Sequence, residues 1–246
     1  ERLPSMSDRH VLVLDQGGQS SRGVLLDADG RILALARQPV TTRRENGRVE
    51  QDPRALVESL TACLDELAVA LGTAPAQRAA LTCQRATLVC WERDSGEPLT
   101  PAISWQDTRG AEYLQRLPAD LQGQIPRRTG MRSSSHYLAA KLAWCLEHVP
   151  AVARAAAQGQ LAAAPLASYL CRQLTDERRA AAEPTTASRS LLWNRHSKHW
   201  DDELLTAFGI EASCLPALRQ SRDRFGHLHV PGQPSLELVC GDQAAV

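Results

Sequence analysis

Two carboxylates at opposite ends of the sequence offer the chemistry. Asp15 follows the apolar run His10-Val11-Leu12-Val13-Leu14 and opens Asp15-Gln16-Gly17-Gly18-Gln19-Ser20-Ser21-Arg22. A glycine-containing turn of this kind can aim several backbone N–H groups and one guanidinium at an anion, while its aspartate binds a metal through water. The competing reading is a solvated turn built from ordinary turn residues. Asp242, in Gly241-Asp242-Gln243-Ala244-Ala245, follows a second apolar run. At a strand end such a carboxylate can accept a proton from an alcohol. As plain structure, the same aspartate would start a helix as its N-cap. Trp105 ends an apolar stretch just before Gln106-Asp107-Thr108-Arg109, where an indole can wall a pocket. Trp91, Trp144, Trp193 and Trp200 read as core or edge packing.

Other chemistries are excluded or weak. There is no Gly-x4-Gly-Lys-Ser/Thr and no Gly-x-Gly-x-x-Gly after a strand. His196/His199 and His227/His229 lie in stretches that read as polar loops, with no cysteine near enough to complete a zinc spacing, so they read as surface residues. The 246 residues carry 28 basic and 28 acidic side chains and no basic block, which argues against nucleic acid as a partner. No apolar run approaches the roughly 18–20 residues of a membrane span. Hydrophobic residues make up 43% and recur throughout, so the chain can bury a core and is not a disordered tract. Seven cysteines never form Cys-x-x-Cys and mostly sit in apolar stretches, which reads as buried, reduced thiols in a cytoplasmic protein. Residues 1–9 read as a disordered tail whose first five residues look like an expression-vector remnant.

The elements that must position these residues form a mixed α/β domain. Strands are expected over 10–14, 23–26 and 31–36, an antiparallel meander with a hairpin at Asp27-Ala28-Asp29-Gly30. Asp52 and Pro53 start a helix whose Leu56, Leu60, Leu64, Leu67 and Leu71 keep helical spacing until Gly72. Strands are expected over 79–82, 87–92, 101–105 and 236–240. Helices are expected over 108–117 (capped by Thr108), 135–147, 152–157, 166–174 and 201–208. The alanine-rich stretch 151–167 reads as a packed helical pair, since alanine favours helix and close approach.

Taken in order, these segments resemble the FGGY family of carbohydrate kinases, its glycerol kinase branch in particular, from His10 to Val246. Asp15-Gln16-Gly17-x-x-Ser20-Ser21-Arg22 looks like that family's phosphate-binding hairpin. Gln84-Arg85 and Ile103-Ser104-Trp105-Gln106-Asp107-Thr108-Arg109 look like its sugar-binding strands. Thr129-Gly130 through Tyr137, Lys141-Leu142-x-Trp144, Ala187-Ser188-Arg189-x-Leu191-Leu192, Trp200-Asp201, Leu215-Pro216 and Gly241-Asp242-Gln243 complete a collinear set.

The resemblance implies a ribonuclease-H-like, actin-like ATPase fold of two lobes, with a small sugar or polyol and ATP meeting between them. Residues 10–246 would be the N-terminal, sugar-binding lobe. The C-terminal ATP-binding lobe is not among these residues, so the chain alone is expected to be inactive. Asp242 would be the catalytic base. Arg85, Trp105, Tyr137, Asp242 and Gln243 would bind substrate, Gly18, Gln19, Ser20 and Arg22 the phosphates, and Asp15 and Asp242 would stand near Mg²⁺. The resemblance also allows a homo-oligomer.

Three departures matter. Glycerol kinases carry glutamate where this chain has Ala86, which removes a hydroxyl acceptor and makes glycerol a doubtful substrate. Gly18 and Gln19 replace two threonines of the hairpin. An aspartate usual before Ala-Ser-Arg is displaced or substituted, with Glu183 nearby. They motivate an alternative: a catalytically impaired, kinase-like protein that binds a metabolite and acts through a partner. An actin- or chaperone-like ATPase lobe would share the fold but not the Trp105 and Gly241-Asp242-Gln243 segments.

Overall fold

The computed structural model describes residues 10–71 and 76–245. The expected tail over 1–9, Gly72 as helix stop, the side chain of Leu71 and Val246 lie outside the described residues.

The chain opens with β1 (His10–Gln16), β2 (Ser20–Leu26) and β3 (Ile32–Pro39), paired antiparallel as expected. The Asp27 turn closes through Oδ1, which accepts from the N–H groups of Asp29 and Arg31 at 2.9 Å each. Pairing in the first hairpin runs further than expected, through Asp15↔Arg22 and Gln16↔Ser21, leaving only residues 17–19 as the turn. A polar hairpin not foreseen from sequence, β4 (Arg43–Glu45) and β5 (Arg48–Gln51), leads into α1 (Pro53–Leu71). Asp52 starts α1 by accepting from the Arg54 N–H, and Leu56, Leu60, Cys63, Leu64 and Leu67 form its buried face. Gly23 is where α1 meets β2 most closely, since a Cβ there would lie 2.6 Å from Leu67 Cδ1.

Next come β6 (Ala76–Cys83), β7 (Leu88–Glu92), β8 (Ala102–Ile103), α2 (Ala111–Gln115), α3 (Ala119–Thr129), α4 (Leu138–His148), α5 (Pro150–Ala157), β9 (Leu161–Pro165) and α6 (Leu166–Leu174). The last elements are β10 (Ala181–Ala182), α7 (Pro184–Ala187), α8 (Asp202–Phe208), β11 (Ala217–Leu218), β12 (Arg222–His227) and β13 (Ser235–Gly241). The main sheet has the order β12-β13-β6-β1-β2-β3, with β6 parallel to both β1 and β13. This is the kind of mixed sheet expected of a ribonuclease-H-like domain. A second sheet, β4-β5-β8-β7-β9, packs with α4 and α8 around Leu88, Ile103, Leu142 and Leu204. The main core gathers Leu12, Leu14, Leu60, Leu81, Leu170 and Val239.

Several sequence expectations are corrected. The helix expected over 108–117 is short and has no Thr108 cap. Asp107 instead takes the Arg109 N–H at 2.9 Å, and Gly110, at φ 82°, turns the chain into α2. A Cβ on Gly110 would sit 2.2 Å from the Ala140 carbonyl oxygen, so the turn is also a packing contact. The alanine-rich stretch is not a helical pair: Leu161–Pro165 is a strand, antiparallel to β7 and buried throughout. The 101–105 strand contracts to two residues, and α3 and β12 were not foreseen. His227 ends β12 rather than lying in a loop, and its backbone N–H donates to Glu177 Oε2 at 2.7 Å. All seven cysteines are buried and unpaired. Trp91 and Trp193 are buried, as packing residues should be. No helix among the described residues is long and apolar enough to cross a membrane.

Candidate functional site

The C-terminal ends of three parallel strands bring the two carboxylates to one edge of the sheet. Asp15 on β1 and Cys240 on β13 both pair with Thr82 on β6, so Asp15 and Asp242 flank the end of β6. With strands about 4.8 Å apart, their backbones stand roughly 10 Å from each other. The crevice beyond such strand ends is where open α/β sheets bind ligands. Asp15 Oδ1 accepts from Thr82 Oγ1 at 2.8 Å, and its Oδ2 lies 3.7 Å from Arg22 Nη1.

The hairpin turn beside Asp15 is pinned from outside. The Gly17 N–H donates to the Ser20 carbonyl at 3.1 Å. The Gly18 carbonyl accepts from Thr42 Oγ1 and Gln51 Nε2 at 3.0 Å each. Among the described residues no group accepts from the N–H of Gly18 or Gln19, which leaves both as free donors at the sheet edge. Ser20 is buried and Gln19 exposed.

Arg85, Trp105, Tyr137, Asp242 and Gln243, the residues expected to bind substrate, line one cavity of about 460 Å³ together with Ala86, His136 and Arg189. Gly18, Gln19, Ser20, Arg22 and Asp15 lie at the neighbouring hairpin and not in that lining. Arg85 Nε is 3.8 Å from Asp242 Oδ1. Burial lowers the Arg85 pKa from its usual value, and the Arg189 charge lowers it further, while Asp242 opposes both. Trp105 is 44% exposed, with its N–H donated to Thr87 Oγ1 and its carbonyl accepting from His136 Nδ1 at 2.9 Å. A larger cavity, about 540 Å³ beside β3, β5 and the start of α1, contains none of the expected site residues.

The loops that carry the cleft are tied down from behind. Lys141 is fully buried on α4 and donates its ammonium to the carbonyls of Ala86 at 2.9 Å and Ser104 at 2.7 Å, the residues next to Arg85 and Trp105. Burial pushes its pKa down to about 7. Asp107, also fully buried, accepts from the Val49 N–H at 2.7 Å and from Arg109, whose Nη2 also reaches Glu50. Ala86 itself has φ 60°, a left-handed conformation rare outside glycine.

Residues 10–236 match the FGGY family of carbohydrate kinases, N-terminal domain. The chain belongs to that family. It is 36% identical to a glycerol kinase of Citrifermentans bemidjiense, covering 96% of this chain and 49% of the relative. It is 38% identical to a glycerol kinase of Ralstonia nicotianae, covering 95% and 48%. The Plasmodium falciparum glycerol kinase solved with ADP superposes with a TM-score of 0.90 at 26% identity, over 96% of this chain and 49% of that one. Xylulose kinase from Rhodospirillum rubrum shares the fold, with a TM-score of 0.86 at 22% identity over 96% and 50%. The chain therefore spans about half the length of the relatives it matches.

Set on the FGGY domain, the departures acquire locations. Ala86 lies in the cavity wall. Gly18 and Gln19 sit at the tip of the hairpin and bring no hydroxyl to it. Glu183 is fully buried and caps α7, accepting from the N–H groups of Thr185 and Thr186 and from Ser221 Oγ, so it faces inward and not toward the cleft. Asp242 is not a helix cap: Gly241 holds that position before a three-residue 3₁₀ turn, and Asp242 Oδ1 accepts from the Gln243 N–H at 2.8 Å. His136 and Arg189 were not assigned from sequence. Arg189 stood inside the Ala-Ser-Arg motif and His136 beside Tyr137, so adjacency to assigned residues was the available signal.

Proposed function

We propose that residues 10–246 are the substrate-binding lobe of an ATP-dependent carbohydrate or polyol kinase, with Asp242 as the general base for the attacking hydroxyl. One observation carries this: Asp242 shares a cleft with Arg85, Trp105 and Tyr137 and stands across β6 from the Asp15 hairpin. A hydroxyl held by Arg85 and Gln243, with its carbon frame against Trp105 and Tyr137, presents its proton to Asp242. The transition state of phosphoryl transfer is loose, so holding the acceptor in line and neutralising charge matter more than deprotonation. Arg22, 3.7 Å from Asp15, and the N–H groups of Gly18 and Gln19, together with Ser20, would bind the transferring phosphoryl group.

No three acidic, histidine or cysteine side chains gather into a metal cage among the described residues. Two separated carboxylates fit Mg²⁺, which keeps several waters and is held by one or two carboxylates plus phosphate oxygens. When bound, ATP and Mg²⁺ supply the phosphoryl group and its charge neutralisation. Asp15 and Asp242 would be the protein's contacts to the metal. Adenosine recognition and closure over the cleft would belong to a second, C-terminal lobe, where exclusion of water suppresses ATP hydrolysis.

The test is ADP release by the full-length protein with ATP, Mg²⁺ and a panel of sugars, polyols and their acids, beside Asp242→Asn. Substrate-stimulated release is expected to fall by about 10²–10⁴ in the variant, the contribution of a positioned base. If no compound stimulates release above the variant, the kinase reading fails and the metabolite-binding alternative, motivated by Gly18, Gln19 and Ala86, replaces it. The 246-residue chain alone is expected to give no turnover, and detectable phosphoryl transfer by it would refute the two-lobe requirement.

A further inference from the structure

The cleft holds more positive charge than its own carboxylate balances. Arg85 and Arg189 both line it, and Asp242 is the one acidic side chain in the lining. Asp242 lies near Arg85, at 3.8 Å from Nε. Arg189 pairs with no carboxylate among the described residues: its Nη1 faces Met131 Sδ at 3.2 Å, and its buried Nε has no partner. Ala86, next to Arg85 in the cleft wall, offers only a methyl group. Arg189 is thus a cationic side chain of the cleft wall with no carboxylate paired to it among the described residues, and an anionic ligand in the cleft would supply that partner.

An arginine fork matches a carboxylate in shape and charge. Among the side chains that line the cleft, two guanidiniums stand against one carboxylate, which leaves a single positive charge; Glu183, buried behind the wall and hydrogen-bonded to Thr185, Thr186 and Ser221, acts on Arg85 only from a distance. A singly charged carboxylate closes that balance, whereas a phosphate ester of roughly two negative charges overshoots it beside Asp242. We propose that the cleft selects a small polyhydroxy carboxylic acid over a neutral polyol, its carboxylate held by Arg189 and Arg85. Binding selectivity stands on the charge arrangement. Only the phosphorylation of the acid's hydroxyl rests on the kinase reading above.

Calorimetric titration of the chain and of the full-length protein tests this with matched pairs: glycerate and glycerol, erythronate and erythritol, gluconate and glucitol. Glycerol 3-phosphate serves as the phosphate arm. The acids are expected to bind at least about tenfold tighter than the polyols of equal carbon number, the scale of one charged hydrogen bond. That advantage should vanish in Arg189→Gln, survive in part in Arg189→Lys, and vanish in Ala86→Glu, which supplies the missing carboxylate without removing an arginine. Equal binding of acids and polyols, tighter binding of the phosphate ester, no binding of any acid to either protein, or an unchanged ratio in folded Arg189→Gln would each overturn the proposal. ADP release separates the two readings. Acid-selective binding without turnover defeats the kinase reading alone, and turnover of neutral polyols with no acid preference defeats this inference alone.

Discussion

Replacing Lys141 by methionine removes the two hydrogen bonds that fix the backbone beside Arg85 and Trp105 while nearly preserving volume. The carbonyl of Ala86 would be left unsatisfied in the core, at about 1–3 kcal/mol, while that of Ser104 would keep the Asp107 N–H at 3.0 Å. Against this, the variant no longer buries a charge. The balance depends on pH, and its sign follows from the displaced pKa. In the unfolded chain the ammonium keeps its proton up to the ordinary 10.5, whereas in the fold it loses it near 7. Between those values the unfolded state binds more protons, so Lys141 makes stability rise with pH. A neutral amine still has two N–H groups, enough for both carbonyls.

Above about pH 9 the buried thiols act the other way. Burial raises Cys171 to about 12 and Cys214 to about 11, so the fold retains protons that the unfolded chain releases. The clean window is therefore pH 7 to 8.5. Integrating the proton difference over it with a folded value of about 7 gives on the order of 1–2 kcal/mol. Urea unfolding of wild type and Lys141→Met at both pH values reads this directly. The stability difference should widen by that amount at pH 8.5. A gap that stays constant would show that Lys141 does not change protonation there, and a variant as stable as wild type at pH 8.5 would refute its role as a tie between the loops.

Two glycines give further tests. In Gly241→Ala the new Cβ would meet Arg85 Cδ at 2.3 Å and Cγ at 2.4 Å, and the flexible arginine must swing away. Ligand binding by calorimetry should weaken by about tenfold, the scale of one charged hydrogen bond, with little change in melting temperature. In Gly23→Ala the clash is with Leu67 at 2.6 Å and Cys63 at 3.3 Å, inside the packed face of α1. Urea unfolding should show a loss of about 1–3 kcal/mol, as for overpacked cores. Combining it with Leu67→Ala should cost less than the sum of the single changes, because the two sites share one contact.

Much of the architecture was legible because burial imposes period. The apolar run of β1, the leucine spacing of α1 and the run before Asp242 each kept one face toward the core. The strand Leu161–Pro165 was not legible because alanine's helical preference is local, while its pairing with β7 is a tertiary fact. The start of α2 was hidden for a similar reason: Asp107, rather than Thr108, takes the local N–H, under the pull of Arg109 and Val49. The β4–β5 hairpin is mostly polar and carries no hydrophobic alternation. Within the site, the five expected substrate residues share a cleft, but Arg189 and His136 gain meaning only from the cavity they face. A single residue in sequence does not disclose an unpaired charge.

The two halves of the cleft are held by different kinds of force. The separation of Asp15 from Asp242 is set by main-chain pairing of β1 and β13 to one shared strand, so it is complete once the sheet forms. Arg85, Trp105 and Tyr137 sit on loops, two of which are anchored through a single buried lysine. Sequence change can therefore remodel what the cleft grips, as at Ala86, while the point where a hydroxyl would meet its base stays put. A domain divided in this way can exchange one small ligand for another without moving the two carboxylates at its sheet edge.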